Sequence, residues 1–163
     1  MKFHYKPPDT VGDLTKAFPF MSAMNNSSPK LSEDIMNDKV SSSRIESDED
    51  LLVLYEWIDS IPLSREKKNI ARDFCDGVLT AEIMKHYYPK MVDIHNYPEA
   101  SSTQLKLINW NTLCLKVFRK IGFSISNEEL DNVVNSRPKA IEQVLWRLYN
   151  KLCEKKKIVK KEQ

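Results

Sequence analysis

Four cations fall within eight residues, at Arg65, Lys67, Lys68 and Arg72, and the apolar residues Ile61, Leu63, Ile70 and Phe74 bracket them. Apolar flanks of this kind seat a turn on a core, so the pattern predicts charges held outward at defined places. A fixed cationic patch suits an acidic macromolecular surface, because clustered charge steers encounter and loses strength as salt rises. A solvated helix face has the same composition, and the pattern by itself leaves both readings open.

The other reactive side chains point away from catalysis. Asp73 and Asp76 resemble a carboxylate pair, yet Asp76 stands where a helix cap belongs and Asp73 beside a cation and free backbone N–H groups. Acid–base work needs a cleft and a polar companion, and neither is visible. Cys75, His86 and His95 are separated by eleven and nine residues, which matches no common zinc pattern. Cys75 and Cys114 read as small core residues, and His86 and His95 as partly buried hydrogen-bonders. The three glycines, Gly12, Gly77 and Gly122, lie far apart. A phosphate-cradling loop needs several close together. No enzyme, cofactor or metal is expected.

The elements that must position these residues are helical. Ser47-x-x-Asp50 has the form of a capping box, with Asp48, Glu49 and Asp50 favourable at a helix N-terminus. Leu51, Leu54, Tyr55 and Ile58 then mark one face of a helix that Pro62 ends. Ser64 is placed to cap the cationic turn, and Asp76 to cap a helix over 77–88 carrying Val78, Leu79, Ala81, Ile83 and Tyr87. After a connection over 89–101, Ser102 or Thr103 starts a longer helix. Leu105, Ile108, Leu115 and Phe118 are its inward candidates, and Gly122 its left-handed stop. Ser126 and Glu129 form a second capping box before Leu130, Val133 and Val134. Pro138 fits the first turn of the last helix, whose stripe is Ile141, Val144, Leu145, Leu148, Tyr149 and Leu152. Trp57, Trp110 and Trp146, one per helix, read as core.

Several of these stretches also carry a resemblance. Arg72-Asp73-Phe74-x-Asp76-Gly77-Val78-Leu79 and Tyr87-Tyr88-Pro89-Lys90-Met91 resemble the sperm-flagellar and CLAMP family of calponin-homology-like domains. The likeness continues through His95-Asn96-Tyr97, Ser102 to Trp110 and Lys116-Val117-Phe118, then more loosely to Leu145. It implies a microtubule-binding module of cilia and flagella, located in the cytoskeleton of the axoneme. It implies further that the basic region before and including Arg72 meets tubulin, with Arg65, Lys67 and Lys68 beside it. Glu66 stands where a proline is common and lowers the local positive charge. Asn109-Trp110-Asn111 matches a signature that defines the fold.

Composition sets the frame. The 163 residues suffice for one domain and a tail. Residues 1–50 hold six Lys/Arg against nine Asp/Glu, net −3, and residues 51–163 are net +5. The near-neutral total therefore hides an acidic arm and a basic body. The leader at 1–47 lacks sustained periodicity and has too little apolar surface to offset the entropy of ordering. Its spaced Phe3, Tyr5, Val11, Leu14, Phe18, Phe20 and Met21 would suit anchors that order against a partner, which the resemblance implies is another axonemal protein. Three widely spaced cysteines, and no apolar run near the ~20 residues of a membrane span, suggest a reduced cytoplasmic protein without a membrane partner.

The expectation is an all-α protein: a flexible or partner-ordered arm at 1–47, a calponin-homology-like domain at 48–152 and a basic tail at 153–163. The six lysines from Lys151 to the end read either as a soluble helix end or as a second contact with an anionic polymer. Family members often continue into a coiled coil. About ten residues after the last core helix are too few for one, so a monomer on the lattice is expected. Actin is the first alternative partner. Nucleic acid is the second, although no reading helix or aromatic platform supports it.

Overall fold

Ser47 opens the first helix as its spacing predicts. Its hydroxyl accepts the Asp50 N–H at 3.2 Å, and the Asp50 carboxylate accepts the Ser47 N–H at 3.1 Å. A computed structural model of the chain describes residues 43–161, with side chains through Lys156. Most of the expected arm, residues 1–42, therefore lies outside the described residues. Helix α1, Asp48–Asp59, buries Leu54, Trp57 and Ile58 and has three acidic residues in its first turn. Those carboxylates complement the positive end of the helix dipole.

The cationic segment follows and ends in a single helical turn, α2, Ile70–Asp73. Asn69, not Ser64, caps it, accepting the Arg72 N–H at 3.1 Å. Ser64 is occupied elsewhere: its N–H and its hydroxyl both donate to the Glu82 carboxylate. Helix α3, Val78–Tyr87, then buries Val78, Leu79, Ala81, Ile83 and Met84. A 3-10 turn, Ile94–Asn96, punctuates the long connection.

Helix α4, Thr103–Leu113, starts at Ser102, whose hydroxyl accepts the Leu105 N–H. It runs through a π turn, Cys114–Phe118, into a last short turn, α5, Arg119–Ile121. Gly122 stops it at φ 72°. Helix α6, Asn127–Val134, has the Ser126–Glu129 capping box, and α7, Ala140–Lys161, is the longest element. Helices α1, α2 and α6 pack on α7. All six residues of the predicted stripe, from Ile141 to Leu152, are buried. The three tryptophans are buried as well. Among the described residues there is no strand, and the protein is all-α.

Three details depart from the sequence reading. Of the four inward candidates on the fourth helix, only Phe118 is buried, while Leu105, Ile108 and Leu115 are 52%, 58% and 65% exposed. The helix instead turns Asn109, Trp110 and Leu113 inward. Trp110 donates its indole N–H to the Cys75 carbonyl, and Asn109 donates to the Asp76 and Pro98 carbonyls. Any other rotation of the helix would lose those buried polar bonds and expose Trp110 and Leu113 as well. His86 and His95 are exposed rather than partly buried. Pro138 precedes α7 by two residues, because Lys139 takes a left-handed φ of 65° that no helix continues.

Gly77, at φ 80°, makes the sharp entry to α3. A Cβ there would meet Asn109 and Trp110 at 3.5 Å, an ordinary contact, so the backbone angle sets the cost of adding one. Gly77→Ala should lower the unfolding free energy by about 1–2 kcal/mol in urea titration.

Candidate functional site

Asp76 organises the cationic face. It is 4% exposed. One carboxylate oxygen accepts the Val78 N–H at 3.1 Å. The other accepts the Ala100 N–H at 3.3 Å and Arg65 Nη2 at 2.9 Å. Three separate stretches of chain thus meet at one side chain. Asp76 does cap α3, as expected, and its remaining lone pairs are committed to Arg65 and the 100 region. A carboxylate so engaged has no role as a general base.

Arg65 is the other half of that joint. Besides Asp76 it donates through Nη1 to the Asp73 carbonyl at 3.3 Å, and through Nε to Glu99 at 3.1 Å. Burial works to lower its pKa, but the hydrogen bond and charge of Asp76, then those of Glu99, raise it on balance. The guanidinium is a clamp. Asp73 secures the far side of the turn by accepting the Lys68 and Asn69 N–H groups at 2.7 and 2.8 Å.

The four candidate cations therefore separate into two pairs. Arg72 is exposed. The Lys68 side chain is 79% exposed, with Glu66 as a loose surface partner at 3.9 Å, an arrangement worth little energy. The outward placement predicted for Lys67 does not hold. Its side chain is 3% exposed, with Nζ 3.8 Å from Asp59. Burial lowers the Lys67 pKa despite the opposing pull of Asp59. Lys67 Nζ and the Asp59 Oδ1 that faces it are themselves buried, so the charge is held inside the fold beside its carboxylate. Lys67 and Arg65 shape the turn, and Lys68 and Arg72 are its outward charges.

An open cleft of about 550 Å³ lies beside this turn, lined by Arg65, Arg72, Asp76, Glu99, Lys106 and Ser136 among others. Lys106 is a residue that sequence reasoning missed as part of this site. The signal was available, since residues 100–127 contain four cations and no Asp or Glu. Two tail lysines also have places on the fold: Lys155 lies 5.7 Å from the Tyr88 ring and Lys156 5.0 Å from that of Tyr87. Tyr87 in turn accepts the Trp57 indole N–H at 2.7 Å. Cys75 is buried, and burial pushes the Cys114 thiol up, the reverse of a reactive thiolate. Among the described residues no group of His, Cys, Asp and Glu could hold a metal ion. None of their helices is long and apolar enough to cross a membrane.

Comparison with known proteins places residues 54–150 under the family described as "CH-like domain in sperm protein". Sperm flagellar protein 1 of Xenopus laevis is 49% identical over 115 residues, covering 70% of this chain and 50% of that protein. Those of Bos taurus and Homo sapiens are each 46% identical over 110 residues, covering 68% of this chain and 47% of theirs. The chain spans about half the length of the curated relatives it matches. The matched range contains all four cations, Asp76 and the Asn109-Trp110 pair.

Two outcomes check this geometry. Asp76→Ala strands two N–H groups and takes from Arg65 its buried carboxylate partner, and should cost about 2–4 kcal/mol in denaturant unfolding. For Lys67 the folded pKa lies below the ordinary 10.5. Between those two values the unfolded chain binds more protons, so stability rises with pH there. Wild type should therefore gain stability over Lys67→Met as pH approaches 10.5 in parallel melts; parallel pH profiles would show that Lys67 is not buried as a cation.

Proposed function

This chain belongs to the family of CH-like domains in sperm proteins, and we propose that it is a non-catalytic microtubule-binding protein of the cilium or flagellum. The names of its relatives, sperm flagellar proteins, support the location. The observation that carries the binding mode is the division of the cationic turn. Arg72 and Lys68 face outward from a segment whose backbone is fixed by Asp73 and, through Arg65, by Asp76. A charge on a pinned turn loses little entropy when it meets a partner, so its attraction is not spent on ordering. Tubulin's acidic outer surface is the partner such a display fits, with Lys106 across the cleft adding to the field.

In this reading Arg65 and Lys67 act by positioning the turn. The domain at 48–152 makes the lattice contact as a monomer, and the arm at 1–47 reaches a neighbouring axonemal protein. The basic residues from 153 onward contribute at most a diffuse field, since Lys155 and Lys156 lie over Tyr88 and Tyr87. A catalytic reading has no support in the committed carboxylate of Asp76 or the raised thiol pKa of Cys114.

Co-sedimentation of the whole chain with microtubules provides the test. Lys68→Glu/Arg72→Glu should weaken binding by about tenfold or more at an unchanged melting temperature, whereas Lys67→Met, which leaves both outward charges in place, should weaken it far less. Equal binding by the charge-reversed variant would move the contact elsewhere. The same assay with actin filaments, and competition by duplex DNA, should show the microtubule to be preferred.

A further inference from the structure

The outward face of α4 has no part in the core or the cationic turn. Among the described residues, the exposed large apolar side chains are Leu105, Ile108 and Leu115, and all three lie on this helix or its π-turn continuation. With Thr112 they fall at spacings of three, four and three residues, the repeat of a helix-packing seam. Thr112 donates its hydroxyl to the Ile108 carbonyl at 2.8 Å. Its hydroxyl proton is thereby taken up within the helix, which lowers the cost of covering it. A seam that is apolar, continuous and uncovered marks an interaction surface more than a chance exposure.

Charge identifies the occupant. No Asp or Glu occurs from residue 100 to 127, while Lys106, Lys116, Arg119 and Lys120 flank the seam. The last three are exposed. At the N-terminal end the seam opens toward the cleft that Lys106 shares with Arg72. A second copy of this chain would set cations against cations, a repulsion that like-charged flanks use to exclude pairing. A lipid surface is less suited, because membrane-lying helices set a broad apolar face with Trp, Phe or Leu into the bilayer. Here the helix's broad face, with Trp110 and Leu113, is already buried. We propose that this face docks an amphipathic helix of another protein, with apolar residues at three–four spacing and acidic flanks. From Leu105 to Leu115 the seam runs about 15 Å, so it accommodates two to three turns of the partner.

The test uses the whole chain and a designed probe, a peptide of about three heptads with Leu at the seam positions and Glu beside them. Fluorescence anisotropy should show saturable binding. Leu105→Ser/Ile108→Ser/Leu115→Ser should weaken it by about tenfold, and the same peptide with Lys in place of Glu should not bind. These substitutions are at exposed positions; should the triple variant misfold, Ile108→Lys alone is read in the same way. The triple variant should pellet with microtubules as wild type does, which separates this surface from the proposed lattice contact. The proposal is overturned if the variant keeps peptide binding or the Lys peptide binds equally. It is also overturned if the seam instead drives self-association in sedimentation equilibrium or binding to phosphatidylserine vesicles. Loss of microtubule pelleting in the triple variant would assign the seam to the lattice contact and leave the proposed function standing.

Discussion

The bond network at Asp76 is the constraint on which the rest depends. Its carboxylate joins the start of α3, the chain at Ala100 and the guanidinium of Arg65, and its carbonyl receives Asn109. The neighbouring Cys75 carbonyl receives Trp110. Two stretches far apart in sequence, 72–79 and 102–110, are thereby locked face to face, with Gly77 supplying the left-handed turn between Asp76 and α3. A buried carboxylate is costly unless it is paired and fully hydrogen-bonded. Every one of these partners must be in place for the fold to tolerate it, which makes the arrangement specific as well as stable.

That lock settles what the cations can do. A turn held by Asp73 on one side and by Arg65 on the other has a fixed course, so the directions of its side chains are fixed too. Two of the charges are consumed in holding it, and two remain for a partner. On the proposed reading the number of charges near the lattice is thus smaller than composition suggests, but each is better placed. The same lock sets the rotation of α4. Trp110 and Asn109 must face Cys75 and Asp76, and Leu105, Ile108 and Leu115 are consequently left outside.

Much of the fold was legible because local signals agreed with one another. The capping boxes at Ser47 and Ser126, the stop at Gly122 and the stripe of α7 are short-range patterns, and each occurs where the spacing indicates. The departures arise from long-range bonds. Apolar spacing on α4 offers two faces, and the choice between them is made by polar partners more than thirty residues away. Lys67 reads as a surface cation until Asp59, on the preceding helix, is brought beside it. Lys106 belongs to the cleft only because the start of α4 is brought beside the cationic turn. The stretch of chain was recognisable as a candidate site, but the roles of its residues depend on tertiary contacts.

The claim that a pinned cationic turn meets an anionic polymer is tested most directly by the salt dependence of microtubule affinity. Binding measured at several ionic strengths should be firm at low salt and fall steeply as the Debye length shortens, with helical content unchanged throughout. Affinity that is indifferent to salt, or no binding even at the lowest ionic strength, would contradict the account.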